Sequence, residues 1–222
     1  MNLKTRIFFL YLICLTATLQ AQNFSNIEFV QNKGQWDNRV KYLGQIPAGS
    51  FFIRSSGFTV LQYNHADLEK IYEKIHGHAQ NDQAGKEMEK SILRSHSYNV
   101  DFIGSSSAFE IVPDKPVSFY NNYFIGNDPS KWATNVKIYQ AVTYKNIYPN
   151  IDIRYYSENG KLKYDIIVNP GGDLDRVSMK YEGADKLGIK NKELVIKTSV
   201  GDVKELSPYS YWHHCSALHK TT

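Results

Sequence analysis

Cysteine is nearly missing from this chain. Only two occur in 222 residues, and Cys14 falls inside an N-terminal leader, so its removal leaves Cys215 without a partner in its own chain. That excludes the small disulfide-stapled classes and leaves stability to burial and sheet pairing. Beyond the leader there is no apolar run long enough to stop transfer across a membrane. Runs of five or six basic residues are also missing. The formal charge of +4 falls to about +2 without Lys4 and Arg6, which argues against nucleic acid as a partner. The chain has no HExxH, CxxC, GxSxG or GxxxxGK[ST] signature, and no SxxK with its expected companions, so the short motifs of metal, acyl-transfer and phosphate chemistry are not there to build on.

What is there begins with an export signal. Lys4 and Arg6 precede an apolar run from Ile7 to Leu19, and Ala21 supplies the small residue that a signal peptidase needs, so residues 1–21 read as a cleaved signal peptide. Tyr11, Leu12 and Ile13 precede Cys14 where a lipoprotein signal wants a small residue, so lipidation is not expected. A mature chain of about 200 residues suffices for one core. The expected organisation is a β-rich module over 22–211, with a polar, partly helical insertion at 64–95, followed by an atypical tail at 212–222.

Sixteen tyrosines and eleven phenylalanines, with isoleucine and valine, alternate with polar residues between Gly, Asn and Pro punctuation. Period 2 with these residue types reads as strand. The expected fold is mainly β, an antiparallel β-sandwich-like domain with one short helical insertion, and a barrel is the alternative. Phe51 to Arg54 and Phe58 to Tyr63 flank Ser55-Ser56-Gly57, where Gly57 can take the positive φ of a bulged hairpin turn. The clearest hairpin is Ile151 to Val168 around Asn159-Gly160, the pair favoured in a type I′ turn. A two-residue turn sets Glu158 opposite Lys161, Arg154 opposite Asp165, Tyr155 opposite Tyr164 and Ile153 opposite Ile166. A four-residue turn would set Asp152 opposite Asp165 and Arg154 opposite Lys163, two like-charge pairs, so the two-residue register is expected. Further strands are expected at Ser97 to Ile103, at Val177, Met179 and Tyr181, and at Leu187 to Ile189 and Leu194 to Thr198 around Asn191-Lys192, with another turn at Gly201-Asp202.

One stretch departs from this alternation. Leu68, Ile71, Tyr72 and Ile75 follow helical spacing after Asn64, read as the cap with Asp67 three residues on, and Gly77 is a natural stop. The following HAQNDQAGKEMEKS is polar and suits an exposed connection or a weak second helix.

Each candidate for chemistry has a plainer reading. Asp152 and Asp165 could serve as a glycosidase acid pair, but both fall on the face opposite the apolar one, where Asp165 is better explained as the cross-strand partner of Arg154. His65, His76, His78 and His96 could ligate zinc if three converged, but no acidic cluster supports them and solvated histidines are expected. Trp212-His213-His214-Cys215 sets a thiol beside imidazoles, but a chain end cannot easily hold nucleophile, base and oxyanion donors in register. No catalytic, cofactor or metal residues are therefore assigned, and the ligand-binding residues are unknown. In NYFIGNDPSKWATNV, Asp128 can cap a short helical turn with Pro129 at its first position. Trp132 then serves as a buried anchor directed at the sheet. Exposed beside Tyr120 or Tyr123, it would instead offer a ring for a sugar to stack on.

Three stretches carry a resemblance: FVQNKGQWDNRVKYLGQIPAGSFFI, NYFIGNDPSKWATNV, and VTYKNIYPNIDIRYYSENGKLKYDIIVNPGGD followed by YEGAD. In this order they resemble the N-terminal domain of large exported proteins of the Bacteroidetes lineage, over nearly all of Asn26 to Tyr211. The resemblance implies SBBP repeats or immunoglobulin-like modules downstream, then a gliding-motility-associated or type IX secretion sorting domain. It brings no catalytic residues with it. After KELSPYSY, where relatives continue into further strands, this chain reads WHHCSALHKTT and stops, the pattern of a truncated N-terminal part.

The expectation is a non-enzymatic exported scaffold or recognition module of a cell-surface or adhesion-type protein. The alternative is a carbohydrate-active enzyme or glycan-binding domain. Expected partners are a glycan or a surface protein and further C-terminal modules of the same protein, with no nucleic acid, no cofactor and no transmembrane segment after signal cleavage. The expected location is secreted or on the outer cell surface, and periplasmic if the sorting domain is truly absent. If partner strands are missing, an unpaired sheet edge would keep the chain from folding stably.

Overall fold

The structure, a computed structural model, describes residues 26–77 and 91–211. The proposed signal peptide, His78 with the rest of the polar connection to residue 90, and the Trp212 to Cys215 cluster lie outside the described residues. Strands β1 (Phe29–Gln31), β2 (Val40–Ile46), β3 (Gly49–Arg54), β4 (Gly57–Tyr63) and β5 (Ser95–Ile103) form an antiparallel meander, with helix α1 (His65–Gly77) between β4 and β5. Two long strands follow, β6 (Glu110–Tyr123) and β7 (Ala133–Tyr148), then the hairpin β8 (Ile151–Glu158) and β9 (Lys161–Val168), and β10 (Ser178–Glu182), which returns to pair with β5. The strand order is β10-β5-β4-β3-β2-β1-β7-β8-β9, with β6 beside β7. A second, three-stranded sheet holds β11 (Lys186–Lys190), β12 (Glu193–Thr198) and β13 (Gly201–Glu205). The fold is thus mainly β, antiparallel and sandwich-like, with a curled main sheet, a small second sheet and one α-helix among the described residues.

The curl originates at β7. Ala141 to Tyr144 pair with both β6 and β8, and Tyr139 pairs with both β6 and β1. Consequently β1 and β8 share one edge of β7 in succession, and β6 takes the other. The sheet forks there, and its branches face each other across a single core. Phe51 on β3 lies 5.1 Å from Tyr155 on β8, and Phe102 on β5 lies 5.1 Å from Tyr144 on β7. Alternation along each strand sends Phe51, Ile53, Phe58, Val60, Val100 and Phe102 from one branch and Val142, Tyr144, Ile151, Ile153 and Tyr155 from the other into that core.

Tyrosine at a core position must bury its hydroxyl, which costs stability unless the group is hydrogen-bonded. The Tyr144 hydroxyl lies 2.7 Å from the Arg54 carbonyl and 2.5 Å from that of Gly57, so its proton has two acceptors to choose between. The Tyr148 hydroxyl similarly reaches the carbonyls of Ile103 and Ser178 at 3.1 and 2.9 Å. These phenols tie the β3–β4 turn and the start of β10 to β7. Tyr155, equally buried, has no partner for its hydroxyl. Burial pushes all three phenol pKa values up, so the core tyrosines stay neutral.

The hairpin at Asn159-Gly160 forms in the expected register, with Glu158 opposite Lys161 and Arg154 opposite Asp165. Asn159 (φ 53°) and Gly160 (φ 71°) both take the left-handed backbone of a type I′ turn. The side chains depart from that scheme. Arg154 reaches across to Asp114 on β6 at 2.7 Å, and Asp165 accepts instead from the Tyr156 hydroxyl at 3.2 Å. The β3–β4 hairpin also forms, but Gly57 pairs with Arg54 in an unbulged register. Its requirement for glycine is steric, since a Cβ there would lie 1.9 Å from the Val100 carbonyl oxygen on β5. Gly201-Asp202 does not form a turn. Both residues open β13, and the chain reverses at Ser199-Val200.

The helix starts as expected, with the Asp67 amide donating to the Asn64 side chain at 3.1 Å. Asp67 does not reach back to complete a capping box. Its carboxylate is turned to Arg94, which donates to it through its backbone amide and two guanidinium nitrogens at 2.8 to 3.1 Å. Leu68 and Ile71 are half-buried, whereas Tyr72 and Ile75 are exposed. The apolar spacing thus marks the helix without placing its whole stripe against the sheet. Among the described residues no helix is long and apolar enough to cross a membrane.

Candidate recognition surface

Two connections come together at one end of the domain. In the β1–β2 connection, one side chain organises the turn. Asn32 donates to the carbonyls of Asp37 and Val40, both at 2.8 Å, and accepts from the Gly34 amide at 3.0 Å. An amide with two donors and two acceptor sites satisfies a tight loop's backbone in this way. The loop so formed carries Trp36, whose ring meets Tyr123 edge-on at 5.4 Å, and Lys33, whose ammonium donates to the Thr134 carbonyl at 2.9 Å. Tyr123 ends β6 and Thr134 is the second residue of β7, so the loop is fastened to both sides of the β6–β7 connection.

That connection lies within the segment Asn122 to Val136. Asp128 caps a short 3-10 turn, Pro129–Lys131, accepting from the Ser130 amide at 3.0 Å and its hydroxyl at 2.7 Å, with Pro129 at the first position as expected. Those hydrogen bonds hold the Asp128 carboxyl below its ordinary range. Trp132, however, is not a buried anchor. It is 43% exposed, packs edge-on against Phe124 at 5.6 Å, and donates its indole N–H to the Gly126 carbonyl at 3.2 Å. The physical reason lies in the next residues. Ala133 and Val136 point inward and fill that end of the core, so the ring one position before Ala133 faces outward by alternation. Its neighbour is Phe124, whereas Tyr123 turns inward to Trp36. Phe124 (60%) and Ile125 (70%) are still more exposed, and Tyr120, on the outward face of β6 opposite Lys137, is 54% exposed.

The other candidate residues do not converge. Asp152 and Asp165 share a face of the β8–β9 hairpin, but Asp152 is buried there and not solvated. It accepts from Lys145 at 2.6 Å and from the Asn146 amide at 2.8 Å, stabilising the irregular stretch of β7 before the β7–β8 turn. His65 sits 3.3 Å from Glu69, one helical turn on. His96 Nδ1 accepts from the Ser199 amide at 3.2 Å, which leaves Nε2 to donate to the Gly183 carbonyl at 2.6 Å. His96 is thus a fastener between β5 and the second sheet. Nothing is described for the His76 side chain, and no three His, Cys, Asp or Glu among the described residues are grouped to hold a metal ion.

An open depression of about 400 Å³ lies near the β1–β2 connection, lined by Gln31, Asn32, Lys41, Tyr42 and Ser55 with Phe109 and Ile111. No carboxylate or histidine lines it. Asn32 and Trp36 went unnoticed in the sequence as site residues. The signal for Asn32 was Asn-Lys-Gly, a side-chain acceptor two residues before a glycine, which marks a side-chain-supported turn. Phe124 had no signal to separate it from the many buried aromatics.

No curated protein and no solved structure matches the chain. The family model described as "Domain of unknown function (DUF7948)" matches residues 29–217, and the chain belongs to that family.

Proposed function

We propose that this chain is a non-enzymatic module of a larger exported surface protein, contributing scaffold and recognition area outside the cell. The observation that carries the reading is how its carboxylates are used. Asp67, Asp101, Asp114 and Asp152 each bind an arginine or lysine within 2.8 Å, and Glu158 and Glu182 are likewise paired to Lys163 and Lys180. A hydrolase working on glycosidic bonds needs two carboxyls about 5 to 10 Å apart across a concave site, one of them kept protonated. Acids paired one by one with cations suit a scaffold. The signal-peptide reading of residues 1–21 and the resemblance of the three quoted stretches to exported Bacteroidetes proteins support the location and the larger parent.

The test is enzymatic. The full chain, incubated with a panel of soluble polysaccharides, is expected to release no reducing sugar. Release that disappears in Asp152→Asn or Asp165→Asn would replace this reading with that of a carbohydrate-active enzyme. Protease treatment of intact cells tests the location, and digestion of the protein without lysis is the expected result.

A further inference from the structure

We propose that the end of the domain built from the β1–β2 and β6–β7 connections binds a neutral polysaccharide, with Trp132 and Phe124 as its stacking rings. The inference rests on the recognition reading above and gives it a ligand class. Its first support is the state of Trp132. With the indole N–H already donated to the Gly126 carbonyl, what the residue offers outward is ring surface alone. A pyranose presents a face of C–H groups that packs on such a ring.

The second support is that the rings are fixed in advance. Asp128 holds the turn through the Ser130 amide and hydroxyl, and Phe124 stands at 86° to Trp132. Lys33 and Trp36 brace the same segment from the neighbouring loop. Rings held in place before the ligand arrives lose little freedom on binding, and that is where preorganised sites gain affinity.

The third support is the chemistry around the rings. Between Phe119 and Lys137 the charged residues are Asp128, Lys131 and Lys137, and Asp128 is engaged as the cap. The other polar side chains there are amides and hydroxyls; Ser130 and Asn122 are engaged by Asp128 and by the Asn135 amide, while the amides of Asn127 and Asn135 are exposed and match sugar hydroxyls. The β1–β2 connection adds Lys33, engaged by the Thr134 carbonyl, and Arg39, paired with Asp37, so this end holds few cations for a phosphate-rich or acidic polymer. Ile125 is the lone exposed large aliphatic side chain in the segment, whereas a helix or loop that enters a lipid surface brings a broader apolar face with a basic border.

Affinity electrophoresis of the full chain through gels containing barley β-glucan, galactomannan or xylan tests the proposal. At least one is expected to retard the wild type. Trp132→Ala and Phe124→Ala each lose about tenfold or more in affinity, Trp132→Phe loses less, and the melting temperature of all three stays close to wild type because neither ring belongs to the core. Failure of all three polysaccharides to retard the wild type, or retardation unchanged in both alanine variants, would overturn it. So would Trp132-dependent binding seen only to lipid vesicles or to another protein. Any of these leaves the non-enzymatic reading standing, since that reading fails only on release of reducing sugar.

Discussion

Tyr181 donates to one oxygen of the Glu205 carboxylate at 2.9 Å, and Tyr164 donates to the other at 3.0 Å. Tyr181 lies on β10 and Tyr164 on β9, the two ends of the main sheet's strand order, while Glu205 comes from the second sheet. One acid on β13 therefore joins strands that no backbone ladder joins. Two further contacts hold the small sheet in place: Ile196 is fully buried against the same core, and at the turn end of the β12–β13 hairpin Thr198 lies 3.2 Å from Gln62. The small sheet is thus a closure for the open side of the curled sheet. Burial, and after it the negative charge of Glu205, pushes both phenols up, so each stays a protonated donor beyond the pH at which an ordinary tyrosine ionises.

Glu205→Ala should destabilise the domain by about 1.5–3 kcal/mol, the range for hydrogen bonds to a charged acceptor. For a domain of this size that corresponds to roughly 2–4 °C of melting temperature per kcal/mol. Urea unfolding of Glu205→Ala, Tyr181→Phe and their combination measures it. The double variant should lose less than the sum of the single losses, because each single change already breaks the shared bond. Strict additivity would mean that the contact contributes nothing.

Two buried tyrosines should respond in opposite ways to loss of their hydroxyls. Tyr144→Phe removes a group that serves two carbonyls of the β3–β4 turn, and a cost of about 1–2 kcal/mol is expected. Tyr155→Phe removes a buried hydroxyl that has no protein partner, so it should leave stability unchanged or raise it. Chemical denaturation of the two variants side by side decides the point. A clear loss in Tyr155→Phe would reveal a buried water bonded to that hydroxyl.

Strand positions were legible where neighbours in sequence determine them. Asn159-Gly160 specifies its own turn, and period 2 then sends Ile151, Ile153 and Tyr155 into the core whatever lies opposite. Long-range relationships were not legible, because no local pattern encodes them. Hairpin register offers Arg154 only Asp165, and the partner it takes, Asp114, is 40 residues away on a strand that pairs with β7. Trp132 was misplaced for a related reason. Whether a loop tryptophan turns in or out depends on which neighbour fills the core, and here Ala133 and Val136 fill it. Asp67 reads in sequence as half of a capping box, yet Arg94 competes for it from beyond the polar connection.

Gly57→Ala should be among the most damaging single substitutions. A Cβ at this position would sit 1.9 Å from the Val100 carbonyl oxygen and 2.9 Å from its carbon, and backbone in a paired strand cannot move aside. The main sheet would have to open between β4 and β5 or shift its register. The expected loss is about 4 kcal/mol or more, the range reserved for broken cores and strained backbone. Gly104→Ala is the control, because nothing lies within 4 Å of a Cβ there. At its φ of 69° only conformational strain of about 1 kcal/mol is expected. Equal soluble yields and melting temperatures for the two variants would contradict this account of Gly57.

The Asp67–Arg94 contact should make stability fall with acid in a defined window. Hydrogen bonds from the Arg94 side chain, and next from its backbone amide, hold the Asp67 carboxyl at about 2, against an ordinary value of 3.8. A carboxyl whose folded-state pKa is depressed contributes its full stabilisation above the unfolded value and loses it as pH falls through the folded one. The wild type should therefore be more stable than Asp67→Asn at pH 5 and above, and this advantage should shrink between about pH 4 and pH 2. Asp37, held to about 2 by Arg39, titrates in the same range, but it is present in both proteins and cancels in their difference. Urea midpoints of the two proteins at pH 6, 4, 3 and 2 measure the effect. A difference that stays constant down to pH 2 would show that Asp67 acts by shape and hydrogen bonding alone, with no contribution from its charge.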